Sequence, residues 1–195
     1  MLSLFHRIEV HLHLQEQERK MEVYLIRHTS VDLPEPTCYG QTDLDVSATF
    51  EEEAAQTKSH LRGIVFDKVY CSPLRRAEKL ASYCGFPDAE RDDRLKEMNM
   101  GNMEMVPFKD IPESEIAEWY DRYMGIQMPG GESTVDVYNR MKDFFDELRT
   151  KPYRRVAVFY HGCAILCTRI LLGLLPHTAG FDDVTPLGGI EIVEL

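Results

Sequence analysis

The sequence predicts an α/β fold, a three-layer sandwich with a mostly parallel central sheet. Short, almost continuously apolar runs occur at Met21 to His28, Val65 to Cys71 and Arg155 to Tyr160, as strands buried between two helical layers require. Segments with apolar residues at helical spacing separate them: Phe50, Ala54, Ala55 and Leu61; Leu80, Ala81 and Tyr83; Val137, Met141, Phe144, Phe145 and Leu148. Crossovers of that length favour right-handed, parallel connections.

With 195 residues, 44% hydrophobic and 28% charged, the chain suits one globular domain with a sizeable core. Its formal charge of -11 argues against nucleic acid or an anionic membrane surface as partner. A phosphate site would have to be a local basic pocket on an acidic protein. No stretch is long enough to span a bilayer. The cysteines Cys38, Cys71, Cys84, Cys163 and Cys167 form an odd set without metal-like paired spacing, which favours a reducing, cytoplasmic compartment.

Residues 1–20 read as an N-terminal extension. Ile8, Val10, Leu12 and Leu14 alternate with other residues before the polar QEQERK, and the segment lacks the h-region and cleavage site of a secretory signal. It suits an added edge strand or sequence upstream of the true start, and Met21, opening the first convincing strand, favours the second. His6, His11 and His13 have no carboxylate or cysteine partner of metal-site spacing, so no metal is expected there.

The first strand stops on Arg27-His28, a cation beside a titratable nucleophile, at the carboxyl edge where α/β folds bind ligands. The loop TSVDLPEPTCYGQTDLDVS follows and reads as a substrate wall, with Tyr39, Gly40, Gln41 and Thr42 offering aromatic surface and amide donors. Thr49 and Glu52 have capping-box spacing for the next helix, which Gly63 closes. The strand Val65 to Cys71 runs into Ser72-Pro73-Leu74-Arg75-Arg76-Ala77, predicting a helix capped by Ser72 with Pro73 in its first turn. Arg76 would sit where its guanidinium and the helix N-terminus both attract an anion. Gly85 ends that helix.

In RDDRLKEMNMGNMEM, residues 91 to 105, Glu97 and Glu104 lie among methionines. A carboxyl group in such surroundings has its pKa raised by desolvation, as a general acid needs. A helix predicted from Pro112 to Met124 lies outside the strand–helix alternation, so residues 98–132 read as a cap-like insertion in a single domain of residues 21–195. Ser133 caps the next helix after a turn at Pro129-Gly130-Gly131 that lacks the Lys of a P-loop. Arg155 to Tyr160 reads as the central parallel strand, and it ends on His161-Gly162 before a strongly apolar helix. Cys163 and Cys167, four apart on that helix, read as packing residues. Gly188 to Leu195 closes the sheet.

Leu25-Ile26-Arg27-His28, Ser72-Pro73-Leu74-Arg75-Arg76-Ala77, Leu95-Lys96-Glu97 and His161-Gly162 stand in the order and spacing of the histidine phosphatase superfamily. From Met21 onward the chain resembles that phosphoglycerate-mutase-like family. Pro36 to Asp43 followed by Phe50 to Ala54 is similar to its alpha-ribazole phosphatase branch, which removes the 5′-phosphate of alpha-ribazole phosphate, or of the corresponding precursor, in cobalamin nucleotide-loop assembly. The resemblance implies a metal-independent phosphomonoesterase without cofactor, acting on a small, nucleoside-like phosphorylated metabolite. It implies His28 as nucleophile, forming a phosphohistidine. Arg27, Arg76 and His161, with the backbone near Gly162, would hold the phosphoryl oxygens. Glu97 would protonate the leaving alkoxide and later take a proton from water, with Glu104 next in line for that role.

Thr29 stands where the family commonly has glycine, Pro34 near its usual Asn, and Met100, Met103 and Met105 where aromatics and a glycine are usual. The phosphate contact of that Asn would pass to Thr29 or to the loop Tyr39, Gly40, Gln41 and Thr42. Other readings are a broad-specificity sugar or small-molecule phosphatase, a mutase, and a non-catalytic phospho-ligand binder. Mutases usually carry longer insertions around the acid, and a binder has no need of Glu97.

Overall fold

The computed structural model describes residues 20–115, 117 and 125–195. Its strands are Glu22–Arg27 (β1), Thr37–Cys38 (β2), Lys68–Cys71 (β3), Glu90–Arg91 (β4), Val106–Pro107 (β5), Arg155–Tyr160 (β6) and Ile190–Glu194 (β7). The principal helices are Phe50–His60 (α1), Arg75–Tyr83 (α2), Thr134–Arg149 (α3) and Gly162–Leu171 (α4). The main sheet runs β4-β3-β6-β1-β7. Its centre is β6, parallel to β1 and to β3, with β4 parallel to β3; the closing strand β7 runs antiparallel to β1.

Successive strand side chains face opposite sides of a sheet, and β1 and β6 are apolar on both. On one side Val23, Leu25, Val156 and Val158 pack with Val137, Met141 and Phe145 of α3 and Ile165 and Leu166 of α4. On the other, Tyr24, Ile26, Ala157 and Phe159 pack with Ala54 of α1 and Ala77, Leu80 and Ala81 of α2. Each fully buried Val, Leu, Ile or Phe contributes roughly 1.5–3 kcal/mol, so both helical layers are fixed by the same two strands. This is the three-layer, mostly parallel architecture that the apolar runs predict.

The register converts separate motifs into one edge. Arg27 pairs with Tyr160 across β1 and β6, and Cys71 with Phe159 across β3 and β6. The next residues, His28, His161 and Ser72, therefore leave the sheet together. The peptide N–H of His28 donates to Tyr160 O at 3.0 Å, and that of Ser72 to Phe159 O at 2.9 Å.

Some local expectations need correction. The second strand begins at Lys68 rather than Val65, which is 79% exposed; the Asp67 carboxylate takes the N–H groups of Arg154 and Arg155 and starts the ladder late. Thr49 precedes α1 but forms no capping box, because its hydroxyl donates to Glu53 rather than capping a peptide N–H. Ser72 does not cap α2, whose N-cap is Leu74; its hydroxyl is engaged with His161. Ser133 does cap α3, in a reciprocal box with Asp136. Most of the helix expected over Pro112 to Met124, and nearly all of the N-terminal extension, lie outside the described residues. Among the described residues no helix is long and apolar enough to cross a membrane.

Candidate active site

His28, just beyond β1, is 2% exposed, and its Nδ1 lies 2.6 Å from the carbonyl oxygen of Thr29. A carbonyl only accepts, so Nδ1 carries the proton and the lone pair resides on Nε2. Burial, reinforced by the Arg76 guanidinium, holds the ring well below the usual histidine pKa, with Arg27 acting in the same direction against the Thr29 hydrogen bond. The imidazole is therefore neutral with Nε2 available, as nucleophilic attack on phosphorus requires.

Two guanidiniums are fixed beside it by backbone carbonyls. Arg27 donates through Nη1 to Thr185 O at 2.6 Å. It lies on Gly162, where an added Cβ would come within 3.0 Å of Arg27 Cζ; any side chain there would push the guanidinium aside. Arg76, in the first turn of α2 and 0% exposed, donates through Nη1 to Thr42 O at 3.0 Å and through Nη2 to Gly40 O at 2.6 Å. Its Cζ stands 5.3 Å from the centre of the Tyr39 ring, within cation–π range.

His161 is also fully buried, its ring centre 5.1 Å from that of His28. Burial, followed by the charge of Arg76, holds it well below the usual histidine pKa. Nε2 faces the Ser72 hydroxyl at 2.7 Å. Among the described residues Arg27 Nε, Arg76 Nε, His161 Nδ1 and Thr29 Oγ1 are buried without a protein hydrogen-bond partner. An unsatisfied buried polar group costs about 1–3 kcal/mol, so such a concentration at one sheet edge suits an anion able to take several donors.

Glu97 is 7% exposed. Its Oε1 accepts the N–H of Met98 at 2.9 Å and its Oε2 that of Cys163 at 3.1 Å, which tethers the carboxyl group to the start of α4. Its own carbonyl is held by Gln41 Nε2 at 3.0 Å and Arg140 Nη2 at 3.1 Å. Arg140 of α3 also donates to the carbonyls of Arg94 and Lys96 and pairs with Glu132. Glu104 is occupied otherwise, accepting from Gly40, Gln41, Thr42 and Met100.

A cavity of about 240 Å³ opens on this edge, bordered by Arg27, His28, Tyr39, Glu97 and Gly162, with a wall including Cys38, Met100, Phe108, Met128, Phe181 and Val184. The expected residues thus divide. His28, Arg27, Glu97, Tyr39 and Gly162 reach the cavity; Arg76 and His161 are buried against Tyr39 and His28 respectively. Thr29 is buried beside His28, its carbonyl fixing the His28 ring. Gly40, Gln41 and Thr42 are not on the cavity wall, and their polar groups are directed to Arg76, Glu97 and Glu104. Sequence reasoning missed Ser72, Glu132, Arg140 and Thr185 as supports, and Phe108, Phe181 and Val184 as wall. Among the described residues no group of three or more His, Cys, Asp or Glu could hold a metal ion.

Comparison with known proteins shows the family. The model of the histidine phosphatase superfamily (branch 1) matches residues 23–192. The chain is 29% identical over 149 residues to the uncharacterized phosphatase PhoE of Bacillus subtilis, covering 73% of this chain and 72% of PhoE. It is 30% identical over 169 residues to the probable phosphoglycerate mutase GpmB of Yersinia enterocolitica, covering 80% of this chain and 77% of GpmB. An Escherichia coli K-12 structure, proposed to be an alpha-ribazole-5'-P phosphatase, superposes with a TM-score of 0.77 at 23% identity over 89% of this chain and 90% of that one, a likeness of fold. With the family model spanning nearly every described element, the chain belongs to the histidine phosphatase superfamily, branch 1, and is a phosphoric monoester hydrolase.

Proposed function

We propose that the chain hydrolyses a small phosphate monoester through a phosphohistidine on His28, without a metal ion. One observation carries this reading: a neutral histidine with Nε2 free stands beside buried donors of Arg27, Arg76, His161 and Thr29 that have no protein partner among the described residues. The Nε2 lone pair forms the bond to phosphorus as the bond to the leaving oxygen breaks, and the charge on the equatorial oxygens falls to Arg27, Arg76 and His161. Glu97, on the same cavity, gives the leaving oxygen its proton. It then removes one from the water that cleaves the phosphohistidine, releasing phosphate and restoring the imidazole.

The cavity wall supports a choice of leaving group. Beyond Arg27, His28, Thr37 and Glu97 it is built from backbone at Gly162 and from aromatic, thioether, thiol and aliphatic groups, and among the described lining residues Arg27 is the one cation. A phosphoglycerate would bring a carboxylate to that wall with no second cation to meet it. An uncharged alcohol carrying an apolar or aromatic group meets complementary surface, and alpha-ribazole 5′-phosphate, with its benzimidazole, is the member of that class that the Pro36 to Asp43 motif favours.

The test is a competitive turnover panel in the presence of chelator, containing alpha-ribazole phosphate, sugar phosphates, nucleoside monophosphates and phosphoglycerates. Alpha-ribazole phosphate should have the highest kcat/KM, with phosphate released to water. Preference for phosphoglycerates, or transfer of phosphate to a second acceptor, would replace this reading by the mutase one, and dependence on added metal would end it.

A further inference from the structure

We infer that Glu104 is a positioning residue for the phosphoryl-binding guanidinium of Arg76, acting through the loop Tyr39 to Thr42. The inference rests on the proposed role of Arg76 in holding the phosphoryl group.

Glu104 is half-buried and its two oxygens accept five hydrogen bonds. Oε1 takes the N–H of Gln41 at 2.8 Å and of Met100 at 3.0 Å. Oε2 takes the N–H of Gly40 at 3.0 Å, the N–H of Thr42 at 3.2 Å and the Thr42 hydroxyl at 2.7 Å. Three consecutive peptide N–H groups thus converge on one carboxylate, the arrangement of a backbone anion nest with its anion supplied by the protein itself. Although burial works the other way, the Thr42 hydroxyl and the amides of Gly40, Gln41 and Met100 hold Glu104 below the usual carboxylate pKa.

The carbonyls of the same loop carry the consequence. With the Gln41 N–H turned to Glu104, the Gly40 carbonyl of that same peptide unit is presented to Arg76, which also takes the carbonyl of the next anchored residue, Thr42. This fork leaves Arg76 Nε as a buried donor without a protein partner. Gly40 allows the close approach: a Cβ there would meet Met98 O at 1.8 Å and Glu104 Oε1 at 2.9 Å. The carboxylate therefore sets the loop, the loop carbonyls set the guanidinium plane, and Glu104 itself stays off the cavity wall.

The test compares wild type with Glu104→Gln and with Thr42→Val, which removes a single donor to Glu104 and is the gentler perturbation. Turnover of 4-nitrophenyl phosphate and inhibition by vanadate are measured in each. A partner that orients a group in the site is worth about 10–100-fold, so Glu104→Gln should lower kcat by about that factor and weaken vanadate inhibition in parallel, with KM changing less. Thr42→Val should show a smaller loss in the same two quantities. A purely structural Glu104 would lower the active fraction and the thermal midpoint while leaving the vanadate inhibition constant of the remaining enzyme unchanged, and that result in both variants overturns the inference. If wild type neither turns over the ester nor binds vanadate, the proposed function has failed instead.

Discussion

The Ser72 hydroxyl lies 2.7 Å from His161 Nε2 and also accepts the peptide N–H of Leu74 at 3.3 Å. Among the described residues His161 Nε2 is the one acceptor within reach of the Ser72 hydroxyl proton. Nε2 is then the acceptor, and the imidazole proton is on Nδ1, the ring atom without a protein partner. A neutral His161 in this tautomer offers an N–H to a phosphoryl oxygen; in the other it would offer a lone pair and repel it.

Ser72→Ala removes the group that selects the tautomer. The variant should keep its fold and lose about tenfold in kcat, in line with the loss of an orienting partner, with little change in KM. Nitrogen NMR of the histidine rings provides the direct check: His161 should show a protonated Nδ1 in wild type and a mixture in the variant.

Two buried neutral histidines make stability depend on pH. Both His28 and His161 are held well below the ordinary value by burial and then by Arg76. The unfolded chain binds protons on them near pH 6.5 while the folded chain does not. Their contribution is thus fully present above roughly pH 6.5 and lost as the pH falls below it, at up to about 1.4 kcal/mol per pH unit for each histidine. Urea unfolding between pH 7 and pH 5 should show a slope approaching twice that figure, and His28→Gln should reduce it by about half.

Arg140 joins α3 to the segment that carries Glu97. It pairs with Glu132 and bonds the carbonyls of Arg94, Lys96 and Glu97. Arg140→Met would strand a partly buried Glu132 and several carbonyls, at a cost of about 2 kcal/mol or more, and should also lower kcat by loosening Glu97. In a double-mutant cycle with Glu132→Gln, unfolding free energies should be non-additive, since the second change removes the charge that the first leaves unpaired.

Residues adjacent to an apolar run were legible in the sequence. His28 and His161 each terminate a strand whose burial requires nothing but its composition, and Arg76 follows a strand by a helix turn. What was hidden depends on contacts distant in the chain. Arg140 reaches Glu97 across more than forty residues, as Gln41 does from the opposite direction, and neither pair has any local pattern. Ser72 was misleading for a different reason: a serine before Pro73 has the composition of a helix cap, while the sheet register brings its hydroxyl to His161 instead. The loop Gly40 to Thr42 reads from its composition as a substrate wall, but its polar groups face Arg76, Glu97 and Glu104 and it lies off the cavity wall.

Glu97 and Glu104 are the two carboxylates of one methionine-rich segment, and their hydrogen bonds separate their duties. Glu104 has five donors on its two oxygens and lies off the cavity wall, whereas each Glu97 oxygen accepts one peptide N–H and the residue borders the cavity with His28. Glu97 can therefore exchange a proton with a leaving oxygen without breaking a network. Glu97→Gln keeps the shape and removes that proton. Alkyl phosphates, whose alkoxides cannot depart unprotonated, should slow by about 10²–10⁴-fold, while dinitrophenyl phosphate, which leaves without help, should be much less affected in forming the phosphohistidine. Pre-steady-state release of dinitrophenol isolates that first step from the later hydrolysis, in which Glu97 has its second proposed role. Equal losses for both leaving groups in the first step would mean that the proton comes from another residue.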